Sequence, residues 1–123
     1  MHETAVSLAL IEQVERIAAE RNAAIVSLIR VSIGPLSGVE PELLRRAFPL
    51  AAAGTIAEDA NLELDITDVV VRCSQCGQES RVPPNRLLCS GCGDYRTNVV
   101  SGDEMILERL ELDVSAQPRP LPH

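Results

Sequence analysis

The sequence predicts an α+β fold, a small three-stranded sheet with two helices, into which a separate four-cysteine module is inserted. Three observations carry this. Apolar residues recur with a helical period near the amino terminus. Three short segments alternate apolar and polar residues, as half-buried strands do. Between the second and third of these lie two matching turns, Cys73-Ser74-Gln75-Cys76-Gly77 and Cys89-Ser90-Gly91-Cys92-Gly93.

From Thr4 to about Arg21, Val6, Leu10, Val14, Ile17 and Ala18 form one stripe, with Glu12, Glu15, Arg16 and Glu20 elsewhere, so a first helix buries a single face. Over Ala24 to Ile33 the period changes. Ile25, Ile29, Val31 and Ile33 share one face of a strand and Val26, Leu28, Arg30 and Ser32 the other. Gly34-Pro35 breaks that run. Ser37-Gly38-Val39-Glu40 has the form of a capping box, with Pro41 tolerable in the first turn of the helix it opens. Leu43, Leu44, Ala47 and Phe48 give this second helix its apolar side; Pro49 is expected to kink it and Gly54 to end it. Leu62, Leu64 and Ile66 alternate with Glu63, Asp65 and Thr67 in a second strand, and Ile106, Leu110, Leu112 and Val114 mark a third. The predicted order is therefore αβαβ, the cysteine module, then β. Residues 115–123, with three prolines, read as a disordered tail.

Composition narrows the function. Phe48 and Tyr95 are the only aromatic residues, so Leu, Ile, Val and Ala must build the core. The net charge is −7 and every one of the 11 basic residues is arginine, a balance that opposes general nucleic-acid binding. No basic segment followed by an apolar stretch marks a signal peptide, and no apolar run approaches the roughly 20 residues needed to span a bilayer. These features lead to the expectation of a cytoplasmic protein with no membrane partner.

A C-x-x-C pair lets two thiolates converge on one ion, and the glycine after each pair can take the positive φ that such a turn requires. Two of these knuckles supply four soft ligands, Cys73, Cys76, Cys89 and Cys92, for a tetrahedral structural zinc in a zinc-ribbon-like module. Two disulfides are the alternative pairing. Iron in a rubredoxin-like centre is a third use of the same four sulfurs, and spacing does not separate it from zinc.

Met1-His2-Glu3 offers a second metal chemistry. The bulky second residue is expected to keep Met1 in place. Its free amine, the His2 amide nitrogen and the His2 imidazole Nδ1 can then close fused chelate rings. Three nitrogens in a plane suit Ni(II) or Cu(II), with a fourth donor from Glu3, from elsewhere in the fold or from a partner. On its own, a histidine in second position is as well read as a solvated terminal residue.

Met1-His2-Glu3, Gly34-Pro35-Leu36-Ser37-Gly38-Val39-Glu40-Pro41, the two knuckles and Ser101-Gly102-Asp103-Glu104 occur in this order. Together they resemble the hydrogenase-maturation nickel-metallochaperone family of the HypA/HybF type, over residues 1 to about 114. The resemblance implies a nickel-binding αβ domain over 1–71 and 103–114 and a zinc-binding domain over 72–102. It implies Ni(II) as transferred cargo, with His2 as the essential ligand and Met1 and Glu3 beside it. Cys73, Cys76, Cys89 and Cys92 take the place of the family's structural Zn(II) ligands. Glu40 matches an acidic position near the nickel site in some members. The implied partners are a maturation GTPase and the hydrogenase large subunit or its assembly complex, in some organisms urease as well; a homodimer is admitted. One departure is visible, Ser90 where the family's second knuckle usually carries proline.

Other residues have plainer readings. Glu40 already has a place in the capping box, Asp103 and Glu104 fit a solvated turn, and His123 ends the tail. Arg72, Arg81, Arg86 and Arg96 surround the cysteines, either compensating four thiolates or forming a docking patch for an acidic partner. No Ser-His-Asp set, phosphate-binding glycine loop or catalytic Cys–His pair is present, so the chain is not read as an enzyme. The alternative to a metallochaperone is a zinc-ribbon adaptor or nucleic-acid-binding module without nickel function.

Overall fold

The computed structural model describes residues 2–114. Its elements run α1 (His2–Glu20), β1 (Ile25–Ile33), α2 (Pro41–Ala52), β2 (Asn61–Ile66), β3 (Val69–Cys73), β4 (Glu79–Val82), β5 (Thr97–Ser101) and β6 (Met105–Asp113). Two three-stranded sheets result, ordered β2-β1-β6 and β4-β3-β5. The first is the sheet expected from the alternating segments. The second was not expected: the cysteine module builds its own sheet, β3 pairing antiparallel with β4 (Val69 opposite Val82, Arg72 opposite Glu79) and with β5 (Cys73 opposite Thr97). The chain divides into two compact units. Of the described residues, one comprises 2–31, 40–64 and 107–114; the other comprises 32–39 and 65–106, and so takes in the loop after β1 as well as the cysteines. Among the described residues no helix is long and apolar enough to cross a membrane.

In the first unit α1 packs on α2. The buried residues of α1 are Glu3, Ser7, Leu10, Ile11, Val14 and Ala18, those of α2 Leu44, Phe48 and Ala52, and β1 adds Val26, Ile29 and Val31. The stripe on α1 thus follows the expected period, but it starts one turn earlier and includes two polar residues. Val6 and Ile17, assigned to the buried face from sequence, lie at its margins, half-buried.

Three local expectations are corrected. Ile25 is 51% exposed, whereas Val26 is fully buried. Between the bonds Ala24 N–H to Asp113 C=O and Gly34 N–H to Glu104 C=O, the β1 side has one residue more than the β6 side. One extra residue reverses the faces of a strand, as a bulge does, and Val26 N–H turns instead to Ile56 C=O in the loop after α2. Ser37 is not a helix cap. Its hydroxyl accepts from Val39 N–H at 3.2 Å, and the N-cap of α2 is Glu40, with no side-chain cap of its own. Finally, α1 begins at His2 rather than at Thr4. Pro41 stands at the first turn of α2 as expected, and the helix runs through Pro49 to Ala52 before Gly54 takes φ +80°.

In the second unit, the loop after β1 is held backbone to backbone against the chain leaving the module. Gly34 N–H donates to Glu104 C=O at 2.9 Å and Leu36 N–H to Gly102 C=O at 2.8 Å. A Cβ on Gly34 would lie 2.2 Å from the Gly102 carbonyl oxygen. Only glycine permits that approach.

Gly34→Ala is therefore expected to destabilise the protein by about 1–3 kcal/mol, the range for forced overpacking. Ser7→Ala is expected to do the reverse. The Ser7 hydroxyl is fully buried without a hydrogen-bond partner among the described residues, and its removal relieves about 1 kcal/mol of unsatisfied polarity. Urea unfolding of both variants, followed by the helical signal, checks the two signs.

Candidate functional site

The end of β3 delivers Cys73 into a knuckle that the second half of the module repeats. Gly77 N–H donates to Cys73 C=O at 2.9 Å and Gly93 N–H to Cys89 C=O at 2.8 Å, with φ of +76° and +77° at the two glycines. Cys73 N–H reaches Gln78 C=O and Cys89 N–H reaches Asp94 C=O, both at 3.0 Å. In each turn two amides point at the leading sulfur: Gln75 and Cys76 N–H at Cys73 Sγ (3.3 and 3.4 Å), Gly91 and Cys92 N–H at Cys89 Sγ (3.3 and 3.4 Å).

The two knuckles bring all four sulfurs within 4.8 Å of one another, with Cys73–Cys92 and Cys76–Cys89 both at 3.6 Å. An ion bound by four thiolates at about 2.3 Å sets its sulfurs about 3.8 Å apart. The residues fit such an ion. All four thiols are free, so the disulfide pairing is not the one adopted. Cys73 and Cys89 are buried while Cys76 and Cys92 are exposed.

The electrostatics point the same way. The Cys92 N–H, ahead of other causes, holds the Cys89 thiol down at about 6, and the Cys76 N–H lowers Cys73. For the other two, amides of Asp94 and Gln78 draw the thiols down but are outweighed by neighbouring sulfurs; Cys92 is pushed up to about 12 and Cys76 is also raised. Four thiolates do not coexist at this spacing unless a cation sits among them. Arg96 supplies part of the compensation. It grips Asp94 through Nε and its terminal nitrogen at 2.9 and 2.8 Å, which holds the Asp94 carboxyl down at about 2. Its carbonyl accepts from Ser74 N–H and Oγ, tying the turn after the second knuckle to the first. Arg72 pairs with Glu79 across β3 and β4. Arg96 also interacts with the thiolates of Cys73 and Cys92, so compensation is its role, whereas Arg72 is taken up by Glu79.

At the amino terminus, His2 is the first residue of α1 and is exposed. Met1, the expected amine donor, lies outside the described residues, as does His123. Glu3 is only 6% exposed, and its Oε2 accepts from Glu40 N–H at 2.9 Å. A capping-box carboxylate normally reaches back to the N-cap amide from its own helix; here α1 supplies it to α2. That bond holds the Glu3 carboxyl well below the usual carboxylate range, at about 2. Sequence reasoning placed Glu3 beside the nickel ligands and missed this contact, which spans 37 residues. One signal was available: Leu10, Val14 and Ala18, continued backwards at helical spacing, land on Ser7 and Glu3. Asp103 and Glu104 are exposed in a bend before β6, as expected of a solvated turn.

A family model described as HypA, "Hydrogenase/urease nickel incorporation, metallochaperone", matches residues 1–112. The chain is 44% identical over 114 residues to a protein named hydrogenase maturation factor HypA from Aquifex aeolicus, covering 93% of this chain and 99% of that one. It is 46% identical over 112 residues to the protein of that name from Nitrosospira multiformis, covering 91% and 97%. The solution structure of the Ni metallochaperone HypA from Helicobacter pylori superposes with a TM-score of 0.69 at 26% identity, over 91% of this chain and 97% of that one.

Because folding depresses the Glu3 carboxyl, its stabilising contribution is complete above the ordinary carboxylate pKa of about 4.3 and is lost as pH falls from there towards about 2. Glu3→Gln should be less stable than wild type near neutrality, and the difference should vanish through that acid window. Urea titrations at a series of pH values check this; a gap that does not change with pH would contradict it.

Proposed function

The chain belongs to the HypA family of hydrogenase/urease nickel-incorporation metallochaperones, and from that premise we propose that it carries Ni(II) at its amino terminus for delivery to nickel–iron hydrogenase, with Zn(II) holding the four-cysteine module. The reading rests on one observation above all, the exposed His2 at the first position of α1. The first amides of a helix have no intrahelical acceptor, so the His2 nitrogen is not committed to the helix ladder. On this reading the Met1 amine, that nitrogen and imidazole Nδ1 would be the three nitrogen donors, a set suited to planar Ni(II). Glu3 follows directly, and its grip on Glu40 N–H ties the donor set to the surface of the first unit.

The two metals have different tasks. A four-thiolate site is closed, offers no position to an incoming ligand, and serves as structure. The amino-terminal set leaves a side open for transfer. The role is carriage rather than catalysis. Its partners are a maturation GTPase and the hydrogenase large subunit or its assembly complex in the cytoplasm, with urease as a further destination and a homodimer as a working state.

Calorimetric nickel titration of wild type, His2→Ala and an amino-terminally extended form tests the proposal. Both altered proteins should lose high-affinity binding while keeping fold and zinc; equal affinity in all three would refute the amino-terminal site. Affinity should also fall with acid, as protons compete with the metal for the donor nitrogens.

Metal analysis should find one zinc per chain, lost in Cys76→Ser. Binding in such modules supplies about 10–16 kcal/mol, so chelation should disorder residues 73–92 and leave α1 and α2 folded. Zinc-free protein with an intact module would overturn this part.

A further inference from the structure

Of the four arginines around the metal centre, Arg72 and Arg96 are taken up by Glu79 and Asp94. Arg81 and Arg86 are not used in this way, and both line a single cleft of about 300 Å³ with Val82, Pro83, Leu88, Cys89, Ser90 and Gly93. Among the described residues Arg81 forms an ion pair with Asp68 at 3.5 Å, a pair whose side chains are 81% and 65% exposed. Such a pair is worth little in water and is readily exchanged for a better partner. Arg86 has no ion pair among the described residues. It sits on a stiff turn, where Arg86 N–H closes onto Pro83 C=O at 3.1 Å behind the Pro83-Pro84 pair, and proline fixes φ on both of those residues.

We propose that this cleft is a docking site for an acidic segment of a partner protein. A carboxylate would be taken by Arg81 and Arg86, and a neighbouring apolar side chain would rest on Val82, Pro83 and Leu88. Charge complementarity selects this occupant. The chain carries a net charge of −7, so an acidic partner is repelled by most of the surface and finds here Arg86, without an ion pair among the described residues, and Arg81, held only by an exposed pair. Arginine binds carboxylates with two parallel hydrogen bonds, and an apolar floor between the two charges favours a segment that mixes acidic and apolar residues over a free anion. The stiff turn lowers the ordering cost of binding. Because Cys89 lines the same cleft, the occupant would sit against the second knuckle, well away in sequence from the amino terminus. The inference does not depend on nickel binding.

The test uses the full zinc-loaded chain and a fluorescein-labelled, end-blocked peptide alternating Glu and Leu, with a Lys/Leu peptide and a short oligothymidylate as comparisons. Saturable binding of the acidic peptide alone is expected, weakening as salt is raised. Amide shifts should be confined to residues around 81–93. Arg81→Glu/Arg86→Glu should weaken binding at least ~10-fold with zinc content unchanged, while Arg45→Glu, an exposed residue of α2 outside the cleft, should alter it less than ~2-fold. If the double variant loses zinc, the single changes Arg81→Gln and Arg86→Gln give the same readout, each weakening binding several-fold. No binding of the acidic peptide, equal binding of the Lys/Leu peptide, tighter binding of the oligonucleotide, or undiminished binding by the arginine variants would each overturn the proposal.

Discussion

Four sulfur atoms held within 4.8 Å of one another are the constraint on which the second unit depends. Thiolates at that distance repel, and the amides aimed at Cys73 and Cys89 relieve only half of the set. The unit has little else to resist the repulsion. Its fully buried apolar side chains are few, Ile33, Val69 and Val71 beside the leading cysteines, and β4 and β5 have four and five residues. A cation at the centre turns the dominant unfavourable term into the dominant favourable one. Everything peripheral then follows: the paired turns, the short strands that join them, and the Arg96–Asp94 brace behind the second knuckle.

The parts of this architecture that were legible in the sequence are those whose cause is local. C-x-x-C-G encodes a turn and the thiols it presents in five residues, so the four sulfurs that the structure brings together could be named without it. Helical and alternating periods similarly located α1, α2, β1, β2 and β6. What could not be read depends on distant partners. Ser37 looked like a cap because Glu40 stands three residues on, but the amide of Glu40 is met by Glu3 from the other helix. The face of β1 reverses near Val26 because its amide bonds to Ile56 rather than continuing the ladder. Glu79–Val82 has no apolar alternation, and becomes a strand because the knuckles bring it alongside β3.

The same contrast separates the two candidate sites. A closed thiolate site is specified by sequence spacing and completes itself. The amino-terminal donors proposed above are specified by position, with His2 at the start of a helix whose next residue is pinned to a second helix. Glu3 was legible as a neighbour of His2, and its burial was not, because a carboxylate in an apolar stripe is intelligible only once its amide partner is known.

The first unit is discontinuous: β2 precedes the cysteine module and β6 follows it, yet both flank β1 in one sheet. A chain emerging from the ribosome therefore finishes the module before it can finish that sheet. The pairing of Val70 with Ser101 returns the chain close to where it departed, so the entropy of closing the long loop is met within the module. β6 then has only a short path to its place beside β1. Late addition of metal to a finished chain would have to reverse that sequence, since an unclosed module leaves β6 on the end of a long tether. The timing of metal supply during synthesis thus bears on how efficiently the whole chain matures, beyond its effect on the module itself.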